Sequence, residues 1–293
     1  MPLNLPTDEP GKCKVKGCLY IVSTPIGNRD DITIRALKVL AEVDLIAAED
    51  TRKTGRLLAF YKIKNRLTAY HEHNEAACTA ELIKKIKKGS SIALVSNAGT
   101  PSVSDPGYRL VKEAVAEGIN IIPIPGPSAA VTALSVAGLP TDSFIFAGFL
   151  SKKNGKRLRQ IEDLVYESRT MIFYESNRRI ERFLGELIET LGDRNGVLAR
   201  EMTKIHEEFI RGPLSEIFNA IQKRAVVKGE CTLIVSGCGG KEKVAPDVVR
   251  NEIRRRLKMS DSSISQLSKD ISADFGIPRK KIYNEAIKIK TNS

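Results

Sequence analysis

The sequence predicts an α/β protein: two α/β domains followed by a small C-terminal helical module. Three observations carry that expectation. From residue 18 to residue 124, short apolar runs alternate with amphipathic stretches of helical period. A second block of the same kind begins near Pro140. Residues 241–293 hold no strand-like run, and their 13 basic against 7 acidic residues supply half of the chain's net charge of +12. A length of 293 residues suits about two domains. The expected boundaries are 18–138, 139–240 and 241–293. They follow a polar lead-in over 1–17, which reads as disordered because it has too little apolar surface to bury.

In chain order, residues 18–23 (CLYIVS) read as the first strand. Residues 31–42 read as a helix, with Ile34, Leu37, Val39 and Leu40 on one stripe. A short strand over 45–48 and a helix over 51–61 follow. The helix over 75–88 ends in a lysine-rich turn before Gly89, which suits the negative end of the helix dipole and a left-handed cap. Residues 91–96 (SIALVS) form a buried strand, and 105–117 a helix that stops at Gly118. Residues 119–124 form the next strand. Pro127 opens another helix, where its missing N–H does no harm.

The second block offers strands over 144–149, 170–174, 197–200 and 231–236, and helices over 155–167, 178–191 and 213–225. A Gly-rich segment over 237–240 closes it. The tail reads as helices over 248–257, 264–274 and 278–289, a helix-turn-helix-like arrangement. Strand–helix alternation implies a parallel sheet covered on both faces, with ligands bound beyond the C-terminal ends of the strands. The loops there are 24–30, 49–54, 97–106 and 125–128.

Composition removes several classes of function. The sequence has no run approaching the ~18 apolar residues of a membrane span. The N-terminus lacks the apolar stretch of a signal peptide, so a cytoplasmic protein without membrane contact is expected. The cysteines Cys13, Cys18, Cys78, Cys231 and Cys238 are odd in number and form no C-x-x-C pair, which suits reduced thiols rather than zinc or disulfides. No G-x-G-x-x-G follows a strand, and neither a G-x-x-x-x-G-K-[ST] nor an H-E-x-x-H is present. That argues against NAD, FAD, ATP and a metal centre, and for a metal-independent transfer. The positive charge favours an anionic partner such as nucleic acid. Aromatic residues are only 5% and Trp is absent, so base stacking is limited.

Chemistry concentrates at strand ends. Glu49-Asp50-Thr51-Arg52 and Arg200-Glu201-Met202-Thr203-Lys204 each close a strand, and His71-Glu72-His73 lies in a loop. Polar clusters in such places are where substrates are gripped or protons moved. Small residues in Ser96–Gly107 and in Pro125–Ala129 let a ligand lie against the backbone. The run from Lys152 to Arg159 and the pair Arg178-Arg179 suit phosphate.

Several long motifs in fixed order then carry a resemblance. They are LYIVSTPIGNRDDITIRALKVL, LIAAEDTRKT, YHEHNE, ALVSNAGTPSVSDPGYRLV, IPGPSAAVTALSVAGLP, FAGFL, FYES and REMTKIHEEFIRG. Together they resemble the ribosomal RNA small-subunit methyltransferase I family, within the tetrapyrrole-methylase superfamily. The resemblance implies two tetrapyrrole-methylase-type domains with a donor cleft between them, and S-adenosylmethionine as donor. It also implies a homodimer, and 2′-O-methylation of a cytidine in the decoding region of 16S ribosomal RNA in the small subunit.

By the same resemblance the donor touches Pro25, Asn97, Thr100, Val103, Ser104, Asp105, Ser128, Ala129, Tyr174, Glu175, Glu201, Glu230 and Cys231. Candidates for handling the hydroxyl proton are Glu49, Asp50, His71 and Lys204, with no choice among them. Arg52, His73, Arg157, Arg178 and Arg255 are the candidate RNA contacts. The chain departs from the family pattern at Asn97, where Asp is usual, at Asn177-Arg178, where Pro-His is usual, and at Ser151, where Pro is common. The competing expectations are another methyltransferase of the superfamily, acting on a tetrapyrrole or a modified histidine, and a non-enzymatic RNA-binding assembly factor.

Overall fold

The computed structural model describes residues 17–238, 246–259, 263–275 and 279–291. Residues 1–16 of the expected lead-in over 1–17, including Cys13, lie outside them, as do residues 239 and 240 of the Gly-rich closing segment.

The first half runs β1 (Cys18–Val22), α1 (Ile34–Glu42), β2 (Leu45–Ala48), α2 (Thr51–Phe60), β3 (Leu67–Ala69), α3 (Glu75–Lys87), β4 (Ile92–Val95), α4 (Tyr108–Ala116), β5 (Asn120–Ile124) and α5 (Ala129–Ser135). Its sheet has the order β3-β2-β4-β1-β5, every pair parallel. Alternation along each strand divides the core between two layers. Tyr20, Val22, Ile46 and Ala48 pack with Leu37, Leu40 and Leu58 under α1 and α2. Leu19, Ala47, Ile92 and Leu94 pack with Leu82, Ile86 and Leu110 under α3 and α4.

The second half runs β6 (Phe144–Phe149), α6 (Asn154–Glu162), β7 (Thr170–Ser176), α7 (Ile180–Leu191), β8 (Asn195–Arg200), β9 (Glu208–Pro213), α8 (Leu214–Gln222) and β10 (Glu230–Val235). Its order is β6-β7-β10-β8-β9; only β6 and β7 are parallel, and the other pairs are antiparallel. One face, with Met171, Phe173, Leu198 and Leu233, packs on Phe183, Leu187 and Ile217 of α7 and α8. The other face, with Ile172, Val197, Ala199 and Ile234, packs on Ala130, Ala133 and Leu134 of α5 and on Ile26. A seven-residue helix such as α5 cannot hold itself in water. Packing on the second sheet holds it, and the same contact joins the two halves.

Three helices end the described chain: α9 (Pro246–Met259), α10 (Ile264–Phe275) and α11 (Arg279–Thr291). They enclose their own small core of Val249, Ile253, Leu267, Ile271, Ile282 and Ala286.

Two strands, β3 and β9, were not anticipated. Both are half-buried edge strands with short or mixed apolar patterns. The helix expected from residue 31 begins at Ile34, because Arg29–Asp31 forms a separate 3-10 turn and Thr33 caps α1 by accepting from the Ala36 amide at 3.1 Å. The helix expected from residue 105 begins at Tyr108. Gly107, inside the expected range, has φ +144°, which no right-handed helix can include, so the helix starts after it. Among the described residues no helix is long and apolar enough to cross a membrane, and no cluster of three His, Cys, Asp or Glu could hold a metal. Cys18, Cys78, Cys231 and Cys238 are free thiols.

Candidate active site

The loops after β1, β4 and β5 leave the C-terminal edge of the first sheet together. Thr24 and Gly99 exchange two backbone hydrogen bonds, each 2.9 Å, and so stitch the first loop to the second. The Thr24 hydroxyl donates to the Ser96 carbonyl at 3.1 Å, and the Ser23 and Thr100 hydroxyls pair at 2.9 Å. Gly126 lies so close that a Cβ there would stand 2.9 Å from Ser23 Cβ. The left-handed residues Ser102 and Ser104 turn the second loop toward the other half, where Ser104 Oγ meets the bulge of β6 at Gly148. Strain of this kind persists only where surrounding structure over-determines it.

Between this edge and the ends of β7 and β10 lies a cavity of about 310 Å³. Ile26, Val103, Phe149 and Tyr174 give it apolar walls, and Thr100, Ser104 and Ser128 add hydroxyls. Three carboxylates, Asp105, Glu175 and Glu230, reach its surface, and no Lys, Arg or His does. Burial, together with the negative charges of Glu49 and Glu230, raises the Asp105 carboxyl to about 7, against the opposing hydrogen bond from Ser96. Glu175 is buried but paired with Arg179 at 2.7 Å. Burial pushes the Cys231 thiol up to about 11, which keeps it neutral and unreactive. The Tyr174 hydroxyl accepts from the Ala130 amide at 3.0 Å, so a strand of one half caps the helix α5 of the other. Phe146 and Phe149 hold the Tyr174 ring at centroid distances of 4.9 and 5.5 Å.

Beside the cavity the Arg200–Lys204 loop locks the halves. Glu201 and Thr203 are left-handed (φ +47° and +65°). Thr203 Oγ1 accepts from the Asn28 amide at 2.9 Å, and a Cβ on Gly27 would stand 2.6 Å from both Thr203 and Lys204 side chains. Lys204 Nζ pairs with Glu201 at 2.8 Å and Glu230 at 3.0 Å. Burial alone would lower the Lys204 pKa; the two carboxylate hydrogen bonds outweigh it and raise it. Lys204 is therefore a held ammonium and not a proton acceptor. Gly229 (φ +91°) has no room for a Cβ, because the Glu201 side chain fills that space while accepting from the Glu230 amide at 2.9 Å.

The structure gathers Thr100, Val103, Ser104, Asp105, Ser128, Ala129, Tyr174, Glu175, Glu230 and Cys231 around one cavity. Pro25 and Asn97 stand on the other side of the Thr24–Gly99 seam, facing a separate hollow, and Glu201 acts from behind Glu230. Phe149, at the end of β6, belongs to the lining, and the FAGFL motif was its only trace in the sequence.

Among the proton-handling candidates, Glu49 accepts from the Asn97 amide at 2.9 Å and is near enough to Asp105 to raise it. Asp50 caps α2 and pairs with Arg52 at 3.0 Å, which holds its carboxyl down at about 2. His71 has a buried Nδ1 without a hydrogen-bond partner, with the His73 ring 6.0 Å away.

The basic run from Lys152 does not present Arg157 to RNA. That side chain is buried, bonded to Glu186 at 2.6 and 2.7 Å and to the Ser151 carbonyl at 3.2 Å. It is a structural cation of the second domain, and its expected phosphate contact is corrected accordingly. Arg178 is exposed and lines a separate groove of mixed charge with Glu181, Arg182, Glu186 and Glu189. Arg255 lies on α9, paired with Glu252 at 2.7 Å.

Residues 18–217 match the family model described as Tetrapyrrole (Corrin/Porphyrin) Methylases. The chain is 45% identical to a ribosomal RNA small subunit methyltransferase I of Halalkalibacterium halodurans, over 92% of this chain and 94% of that one. It is 48% identical to the protein of the same name from Thermotoga maritima, over 75% of this chain and 99% of that one. Among solved structures it resembles the uroporphyrin-III C-methyl transferase of Thermus thermophilus complexed with S-adenyl homocysteine. The TM-score is 0.52 and the identity 18%, over 74% of this chain and 97% of that one.

Proposed function

Because the chain belongs to the ribosomal RNA small subunit methyltransferase I family of the tetrapyrrole methylases, we propose that it methylates the 2′-hydroxyl of a cytidine ribose in the decoding region of small-subunit (16S) ribosomal RNA, using S-adenosylmethionine. The single observation that carries the donor half of this reading is the charge of the cavity. It offers carboxylates and no cation. Glu175 and Glu230 are already paired with Arg179 and Lys204, so Asp105 is the lining carboxylate without an ion pair among the described residues; a sulfonium with an ammonium group meets its complement there, whereas a phosphate-bearing cofactor finds no cation on the lining. Its volume lies at the lower end of the range for small-molecule sites, and its walls combine aromatic and aliphatic surface with a few polar groups.

When bound, S-adenosylmethionine supplies a methyl group already activated by positive charge on sulfur. The residues that would hold it are Asp105 and Glu230 on its charged end, and Val103, Phe149 and Tyr174 on its apolar surface. Glu49 is the group suited to take the ribose hydroxyl proton as the new bond forms, because Asp50 and Lys204 are committed to ion pairs. The stitched seam and the Thr203–Asn28 bond fix the two halves against each other, which would let a bound donor and acceptor hold the ~3–3.5 Å approach that transfer requires. The proposal extends to a homodimer and a cytoplasmic setting.

The test incubates the protein and methyl-labelled donor with small ribosomal subunits from cells lacking it, then maps label by 2′-O-methyl-sensitive primer extension. One labelled cytidine is expected. In a parallel reaction with a tetrapyrrole in place of subunits no label is expected; label there and none on subunits would move the chain to another reaction of its superfamily.

A further inference from the structure

We propose that a second hollow, across the Thr24–Gly99 seam from the donor cavity, is a phosphate subsite for the methyl acceptor, built by Arg29, Lys53 and Arg56; this rests on the reading of the acceptor as RNA. The hollow measures about 330 Å³. The two loops alternate across the seam. Ile26, Ala98 and Gly99 line the donor cavity, while Pro25, Gly27 and Asn97 line the hollow. The wall between the two spaces is therefore one layer of chain.

The cations come from two places. Lys53 and Arg56 stand three residues apart on α2 and so share a face. Arg29 belongs to the 3-10 turn, with its guanidinium 4.5 Å over the ring of Phe60, on the same face of α2. Its backbone carbonyl also accepts from the Tyr61 hydroxyl at 2.6 Å, which fixes the turn. No acid lines the hollow, and among the described residues none of the three cations has an ion pair. Arg52, one residue away, does have one and faces Asp50 instead.

Three exposed, like charges around one concavity repel each other, and an anion relieves that repulsion. Guanidinium groups add a bidentate fit to phosphate oxygens, and the ammonium adds a point charge. Two features of the wall suit a nucleotide. Glu49 is bonded to the amide of Asn97, and Asn97 Oδ1 is buried without a hydrogen-bond partner, an acceptor left for a hydroxyl. A nucleotide whose phosphate occupies the hollow stands one loop's thickness from the donor cavity, beside the group assigned to its proton.

The test is the double variant Lys53→Ala with Arg56→Ala. Both side chains are exposed and alanine favours helix, so the fold is retained. A control, Lys84→Ala with Lys112→Ala, removes the same charge from α3 and α4 in the other helix layer. Affinity for a fluorescein-labelled single-stranded RNA decamer is measured from 50 to 200 mM salt, with calorimetry of S-adenosylmethionine binding and KM for small subunits.

The subsite predicts RNA affinity and KM about tenfold worse in the first double variant, with the salt slope shallower by about 1 to 2 and donor affinity unchanged. Equal effects in the control, or none in either, would overturn it. If wild type binds RNA through these residues but transfers no methyl, the subsite stands and the reaction assignment falls. If wild type methylates subunits and the variant is unaltered, the reverse holds. If wild type does neither, both fall.

Discussion

The two hollows on either side of the Thr24–Gly99 seam carry charge of opposite sign. The donor cavity has three carboxylates and no cation; the acceptor hollow has three cations and no carboxylate. One wall of Gly, Pro and small polar residues divides them. Small side chains keep that wall thin, and cross-loop hydrogen bonds keep it still. The contrast teaches how one sheet edge can present a cationic donor and a polyanionic acceptor to each other without either occupying the other's place. Selection by charge needs no lid, only separation over the thickness of one chain segment.

The harshest way to break the contrast is to disable the group that spans it. Glu49 is bonded to the wall at Asn97 and acts electrostatically on Asp105 inside the cavity. Glu49→Gln keeps an oxygen to accept from the Asn97 amide and removes the proton acceptor. A loss of about 10²-fold or more in kcat is expected, the usual worth of a positioned base. Donor affinity and KM for subunits should stay within about twofold. Rapid-quench turnover beside calorimetry separates the two, and a variant with undiminished kcat would hand the role to His71.

A smaller effect comes from neutralising the cavity. Asp105→Asn removes the carboxyl that burial and its acidic neighbours, Glu49 and Glu230, raise to about 7. Its folded pKa lies above the ordinary aspartate value, so between the two the native state holds the proton while the unfolded chain has released it. The stability due to this group is present at acid pH and is lost as pH rises through about 7. Without donor, the Asn variant should therefore melt higher than wild type at pH 8, with the gain shrinking toward pH 4. Donor affinity should move the other way. Wild type binds more tightly as pH rises through about 7, the variant shows no such rise, and at pH 8 it binds about 10- to 100-fold more weakly, the worth of a hydrogen bond to a charged group. Thermal melts and titrations from pH 5 to 8.5 check both. Equal donor affinity at pH 8 would remove Asp105 from the donor's charged end.

Which parts of this were legible follows from what each signal measures. Hydropathy period reports burial on one face of an element, so α1, α3, β4 and β7 could be read directly from residues such as Leu37, Leu40, Ile92 and Phe173. It was silent on β3 and β9, edge strands whose residues are half buried on both faces. The loops around the cavity were legible through Gly, Pro and Ser, since left-handed and tightly approached backbone demands small residues. Ser102, Ser104, Glu201 and Thr203 show the limit of that rule, because tertiary contacts hold non-glycine residues left-handed. Charge misled most. Arg157 sits among five cations in sequence, yet its partner Glu186 is 29 residues away on α7, and only the fold brings them together. Arg29 and Phe60, which shape the acceptor hollow, are separated in the same way.

The C-terminal helices give the mildest way to sharpen the comparison. Their apolar residues pack into a core of their own, while every residue lining the donor cavity precedes them. A chain ending at Cys238 should therefore fold and bind S-adenosylmethionine as the full chain does. It loses a net +6 of charge, so its effect belongs to the polyanion alone. Several-fold weaker binding to small subunits and a shallower salt slope are expected, with kcat unchanged at saturating substrate. The loss should stay below that of Lys53→Ala with Arg56→Ala on the decamer, because those cations line the hollow at the seam and, among the described residues, none of the helices lines either space. If truncation instead weakens donor binding by tenfold, charge on the two sides is not independent, and the module has to be counted as part of the wall between them.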